Sequence, residues 1–228
     1  MSDAELDRIR SEYDARDAAE TTPYRWDNPG YVTYMQSLER ALLRAFADSG
    51  VELRGATVLD VGCGSGYFLH RLHEYGAGHC HGIDLMENRI AGARERYPEL
   101  EWHVGSATEL PFEDGAFDLV TQFTCLSSIV DDGARLSAAD EMKRVAGSWL
   151  LSVDTRAASA AGAGTPTVAL DERELERLFG KSALLRRAPV NLGLAQKAGR
   201  HDLVARMLTA LPSLRTHYVG LWRAPSER

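Results

Sequence analysis

Residues 58–72 read VLDVGCGSGYFLHRL. The run begins apolar, passes Asp60, crosses glycines at 62, 64 and 66, and continues with leucines at helical spacing. An apolar run that stops at a glycine cluster and resumes with a period near 3.6 reads as strand, tight turn and helix. In open α/β sheets ligands bind outside the carboxyl ends of the strands. Glycines there admit backbone conformations closed to other residues and remove side chains that would hold a ligand off the main chain. The helix that follows offers free N–H groups, which attract a negative group such as a carboxylate. The spacing is G-x-G-x-G. A dinucleotide fingerprint needs G-x-G-x-x-G and a phosphate loop needs G-K-[ST]. Tyr67 follows the third glycine with no lysine behind it, which argues against both.

On either side of this turn the chain alternates in character. Residues 1–50 read as helical, with one helix carrying Leu6, Ile9, Tyr13 and Arg16 and a second running from Tyr31 to Ser49 before Gly50. The polar ETTPYRWDNPG, residues 20–30, separates them. Strand-like runs TVLDVG, HCHGIDL, LEWHVGSA, AFDLVTQFT and SWLLSVDT then alternate with helix-like YFLHRLHEYG, MENRIAGARERYP and ARLSAADEMKRVA. That alternation predicts β-α units and a mostly parallel sheet. Residues 155–169 read as a mobile loop, LDERELERLFG as a surface helix, ALLRRAPV as a strand, 199–211 as a helix and RTHYVGLWRA as a final strand.

A chain of 228 residues suits one domain, with residues 1–50 as a helical cap or lid and 51–228 as the core. Its net charge of −7 argues against general binding to nucleic acid. Cys63, Cys80 and Cys125 are too few and too scattered for a disulfide framework, so a reducing, cytoplasmic setting is expected. No signal peptide or membrane span is expected. The seven histidines lack ligand spacing such as H-E-x-x-H, so no metal site is expected.

Asp84 ends the second strand, where an acid accepts hydrogen bonds from both ribose hydroxyls of a nucleoside. Leu85 and Met86 are placed to pack on a base, and Ser106 and Ala107 to read its edge. The segments VLDVGCGSG, GIDLMENRI, VGSATELPFEDGAFDLVTQFT and DEMKRVAGSWLLSVD, in this order, resemble the class I S-adenosylmethionine-dependent methyltransferases over roughly residues 55–155. More loosely, QFTCLSSIVDD and LPSLRTHYVGLWRAP resemble a bacterial subgroup that tailors polysaccharides or secondary metabolites. The resemblance implies a Rossmann-like, doubly wound, seven-stranded sheet with an antiparallel last strand, and S-adenosyl-L-methionine as cofactor. It departs from the family at Ser106, where many relatives carry an acid, and at VAGSW, where a Pro-Gly-Gly turn is usual.

The expected cofactor contacts are Asp60, Gly62, Cys63, Gly64, Gly66, Asp84, Leu85, Met86, Ser106, Ala107 and Gln122. Asp60 either fixes the loop or faces the methionine amino group. Gln122 either faces the pocket or is a satisfied polar group at a strand end. Tyr13, Tyr24, Arg25, Trp26, Phe123 and Ser127 are expected on the substrate side or in the lid, with packing of the N-terminal helices as the other role for the aromatics. Asp131 and Asp132 are expected to cap the next helix. Asp154, His103 and His217 are available as bases, and none is singled out. The resemblance points to a small-molecule acceptor, a natural product or sugar methylated on oxygen first and nitrogen second, by a monomer or homodimer. The alternative is an inactive module that binds the cofactor as a regulator.

Overall fold

The computed structural model describes residues 3–17, 26–156, 167–188, 191–198, 201–208 and 210–224. Two helices lead, α1 (Asp3–Asp17) and α2 (Pro29–Ser49). Then come β1 (Thr57–Val61), α3 (Tyr67–Glu74), β2 (His79–Asp84), α4 (Glu87–Arg96), β3 (Glu101–Val104), β4 (Phe117–Phe123), α5 (Asp132–Val145) and β5 (Ala146–Thr155). The chain closes with α6 (Glu172–Phe179), β6 (Leu184–Ala188), α7 (Leu192–Ala198), α8 (Asp202–Leu208) and β7 (His217–Arg223). The helix expected over 199–211 is present in shortened form as α8, and α7, which ends at Ala198, lies before that range. Most of the predicted loop over 155–169 lies outside the described residues.

The strands form one sheet in the order β3-β2-β1-β4-β5-β7-β6. The pairs from β3 to β5 are parallel, and β7 runs antiparallel to both β5 and β6. Strand order reverses between β1 and β4, which opens a crevice beyond their carboxyl ends. Asp60 and Asp84 both stand at that edge.

Successive side chains of a strand point to opposite faces, and two cores result. Val58, Leu119, Leu151 and Leu221 face α2, α3 and α4, while Leu59, Val120 and Leu150 face α5 and α6. The expected N-terminal cap is thereby divided. In α2, Tyr34, Leu38, Leu42 and Phe46 repeat every four residues and are buried in the first core. Asn28 caps the helix by accepting from the Gly30 N–H at 2.9 Å, and Gly50 closes it. So α2 is a layer of the fold whose first turns also reach the crevice, and α1 lies over its rim. Leu42 is fully buried and its neighbour Leu43 is 38% exposed. Leu42→Ala is expected to cost about 2–5 kcal/mol in urea unfolding, and Leu43→Ala about 0.5 kcal/mol or less. Equal costs would mean that α2 is not part of the core.

Candidate active site

The turn after β1 is tied to β2 by its own backbone. The N–H groups of Gly62 and Cys63 both donate to the Ile83 carbonyl, at 2.8 and 3.1 Å. Gly62 has φ 70°, and a Cβ there would lie 2.6 Å from Cys125 Sγ. The Asp84 carboxylate accepts from Gly64 N–H at 2.8 Å through one oxygen and from Met86 N–H at 2.9 Å through the other. One acid therefore holds both the glycine loop and the start of α4. Gly66 serves a different purpose from the one expected. A Cβ there would sit 2.3 Å from Trp102 Cη2, so this glycine lets α3 close on the sheet.

Asp60 is 2% exposed and accepts a 2.8 Å hydrogen bond from the Thr121 hydroxyl. Burial pushes its carboxyl up to about 8, the Thr121 bond pulls the other way, and the Asp84 charge adds to the rise. A carboxyl in this state holds its proton at neutral pH and gives it up when a cation comes close.

Both acids line one cavity of about 270 Å³, near the lower end of ligand clefts, roughly 300–1,000 Å³. On one side it is walled by Ile83, Leu85, Met86, Ser106 and Ala107. On the other stand Tyr31, Tyr34, Tyr67, Phe68 and Phe123. Phe68 and Phe123 stack with centroids 3.9 Å apart. The rim is α1, which contributes Ile9 and Tyr13. It is bound to the segment after β4: Tyr13 OH meets Ser128 Oγ at 2.9 Å, Arg8 donates to the Ser128 carbonyl at 2.8 Å, and Glu5 accepts from Val130 N–H at 2.8 Å. The Arg89 guanidinium, 4.3 Å from the Tyr13 ring centre, joins α1 to α4. From the other side Arg135 of α5 donates to the Ile129 carbonyl at 2.9 Å.

Of the expected site residues, Asp60, Gly62, Cys63, Gly64, Asp84 and Met86 line the cavity, as do Leu85, Ser106, Ala107, Tyr13 and Phe123. Ser106 turns its hydroxyl toward its own loop, accepting from Thr108 N–H at 3.2 Å. Gln122 is fully buried outside the lining: its amide nitrogen donates to Ser152 Oγ at 2.5 Å and its oxygen accepts from Cys125 N–H at 2.8 Å. It shapes the turn under the cavity, where Thr124 has φ 59°. Ser127 is buried beside it, its N–H directed to Asp154 at 3.2 Å. Trp26 is 49% exposed and packs on Tyr31 and Tyr67, outside the lining. Tyr24 and Arg25 lie outside the described residues. Asp131 caps α5 as expected, accepting from Ala134 N–H at 2.7 Å, and Asp132 pairs with Arg135.

None of the three available bases lines the cavity. Asp154 is buried under it, with its carboxyl raised to about 6 by burial. His217 is buried behind Tyr34, whose OH meets its Nε2 at 3.0 Å, and burial lowers it to about 4. His103 lies on β3. Sequence reasoning missed Arg89, Tyr34, Tyr67 and Phe68. The last two follow the glycine loop directly, and that position is itself a signal, since the first turn of the helix after such a loop faces the ligand.

A doubly wound sheet sets a glycine loop and paired strand-end acids at its switch point, and the stretch that carries them is similar to known methyltransferase domains. Residues 58–147 match the family model for a methyltransferase domain. The chain is 31% identical over 121 residues to a Mycolicibacterium smegmatis protein described as a "probable S-adenosylmethionine-dependent methyltransferase", covering 53% of this chain and 47% of that one. It is 32% identical over 114 residues to the ubiquinone biosynthesis O-methyltransferase of Aromatoleum aromaticum, 48% of each. The chain spans less than half the length of the curated relatives it matches. Among solved structures it is similar to Haemonchus contortus phosphoethanolamine N-methyltransferase 1, with TM-score 0.71 and 15% identity over all of this chain and 51% of that one.

Proposed function

We propose that this protein transfers a methyl group from S-adenosylmethionine to a small, partly apolar acceptor. The observation that carries the reading is one cavity with two unlike halves, a polar strand-end half with two buried acids and an aromatic half beneath α1. The residues fit the cofactor's chemistry. Asp84 takes the ribose hydroxyls, Leu85 and Met86 lie against the base, and the loop at Gly62 to Gly64 with the start of α3 takes the carboxylate. Asp60 takes the ammonium group. When bound, the cofactor supplies an electrophilic methyl on its sulfonium. The chain's own contribution is alignment of the acceptor against the aromatic wall and exclusion of water.

Among the described residues the lining includes no histidine. This favours an acceptor that needs little help in losing a proton, such as a phenol-type hydroxyl, and after it an amine. The Aromatoleum relative, named for ubiquinone biosynthesis, supports oxygen as the first choice. We place the reaction in natural-product or sugar tailoring, in the cytoplasm. The three cysteines are free thiols, as a reducing setting would keep them; among the described residues no helix is long and apolar enough to cross a membrane.

We read the chain as one domain, with α1 as the lid. Incubation with methyl-labelled cofactor and separate RNA, protein and small-molecule fractions is expected to label the small molecules alone. Label in RNA or protein instead would overturn the acceptor class. Removing residues 1–17 is expected to leave a cooperative melt while lowering turnover at least tenfold, because the strap to Ser128 and Val130 goes with them. Undiminished turnover would rule out the lid.

A further inference from the structure

A second cluster of chemistry-bearing side chains lies away from the cavity, on the outer strands of the sheet. His81 of β2 pairs in register with Glu101 of β3, and Ile83 with His103. Side chains two apart in a strand share a face, so His81, Glu101 and His103 project from the same side. Their donor atoms all lie within 4.8 Å of one another. His81 Nδ1 is 3.4 Å from His103 Nε2 and 3.5 Å from a Glu101 carboxylate oxygen.

These separations have a specific meaning. Two imidazole nitrogens at 3.4 Å are further apart than a good N–H hydrogen bond allows, about 2.7–3.2 Å. Around a tetrahedral zinc ion with bonds of about 2.0–2.1 Å, neighbouring donors stand roughly 3.4 Å apart. We propose that His81, Glu101 and His103 bind a divalent cation of the zinc type at the sheet edge, with a coordination position left for water.

The surroundings suit such a site. Phe117 packs edge-on against His81 at 5.3 Å and Phe112 against His103 at 5.1 Å, so the imidazoles are held in place on an apolar base. Burial lowers both histidines below their usual range, with Glu101 opposing and His79, Arg94 and the neighbouring imidazole reinforcing. The Glu101 side chain is 61% exposed, which leaves the cation a path from solvent. Two imidazoles and one carboxylate select a borderline cation over calcium or magnesium. The site would pin the outer strand just before Gly105, Ser106 and Ala107, which line the cavity.

The test is titration of the untagged full chain with zinc chloride by calorimetry, with the visible spectrum of the cobalt(II) form and the melting temperature read in parallel. One zinc per chain, a four-coordinate cobalt spectrum and a zinc-dependent rise in melting temperature are expected. His103→Ala and Glu101→Gln are each expected to weaken binding at least tenfold. His70→Ala, near Glu74 and Glu99 on another face, is expected to leave it unchanged. Glu101→Gln alters an exposed side chain and keeps the test valid if His103→Ala fails to fold. No stoichiometric binding by the parent, parental binding by Glu101→Gln, or loss of binding in His70→Ala would overturn the proposal.

Discussion

Gly62→Ala is expected to lower the melting temperature by roughly 5–15 °C and to weaken S-adenosylmethionine binding at least tenfold. Two costs combine at this position. The backbone has φ 70°, where a residue with a Cβ pays about 1–2 kcal/mol. The new methyl would also meet Cys125, with Sγ at 2.6 Å and Cβ at 2.7 Å, and overpacking of this kind costs about 1–3 kcal/mol. Cys125 has little room to retreat, because its N–H is held by the Gln122 side chain at 2.8 Å and it follows Thr124 at φ 59°. The loop must yield instead. That movement would pull Gly62 and Cys63 from the Ile83 carbonyl and Gly64 from Asp84, the contacts that give the ligand half of the cavity its shape. Gly50→Ala is the control: φ is also 70°, but nothing lies within 4 Å, so only the dihedral cost applies. A double-mutant cycle with Cys125→Gly separates the clash from the rest. Equal destabilisation by Gly62→Ala and Gly50→Ala, or parental cofactor affinity in Gly62→Ala, would show that the close approach to Cys125 is not what the position requires.

The loop around Gly62 was legible in the sequence because its chemistry is local. A strand, a turn and a helix within fifteen letters carry their own periods, and Asp84 is the next strand's last residue. The same reasoning could not tell Gly66 from Gly62. Both are glycines of one spacing, yet one faces Cys125 and the other Trp102, and only strand register decides which neighbour each meets. Gln122 was ambiguous for a similar reason. It ends a strand at the pocket, but its partners Ser152 and Asp154 lie on β5, reached by pairing across the sheet. The strap from α1 to Ser128 joins residues more than a hundred positions apart, and no local pattern announces it. The histidine pair on β2 and β3 has no motif spacing at all, since register alone brings it together. The division of the N-terminal cap was readable in principle: α2 has a buried stripe at every fourth residue, the mark of a helix committed to a core.

Asp60→Asn is expected to make the protein more stable above pH 8 while making it a poorer binder of its cofactor. In the folded chain burial holds the Asp60 carboxyl at about 8, against an ordinary 3.8. Between those values the folded state keeps a proton that the unfolded state has lost, so stability falls as pH rises through this window. The full cost is present only above about 8. Asparagine resembles the protonated acid in shape, keeps an oxygen to accept from Thr121, and has no charge to desolvate. The variant should therefore match the parent near pH 4 and exceed it at pH 9 by roughly 2 kcal/mol or more, about 4–8 °C in melting temperature. Binding runs the other way. An ammonium group brought beside Asp60 favours the ionised acid, so the parent should release a proton on binding and bind more tightly as pH rises toward 8. An α-amino group loses its own proton at about pH 7.7–8.0, so affinity should turn down beyond that point. Removing the charge should delete the rising limb and weaken binding by about 1.5–3 kcal/mol near neutral pH, the range for hydrogen bonds to charged groups. Calorimetry in two buffers of different ionisation enthalpy counts the protons directly. If Asp60 only anchored the loop, Asp60→Asn would bind S-adenosylmethionine as the parent does, with no change in proton release, and the assignment of this acid to the cofactor's cation would fall.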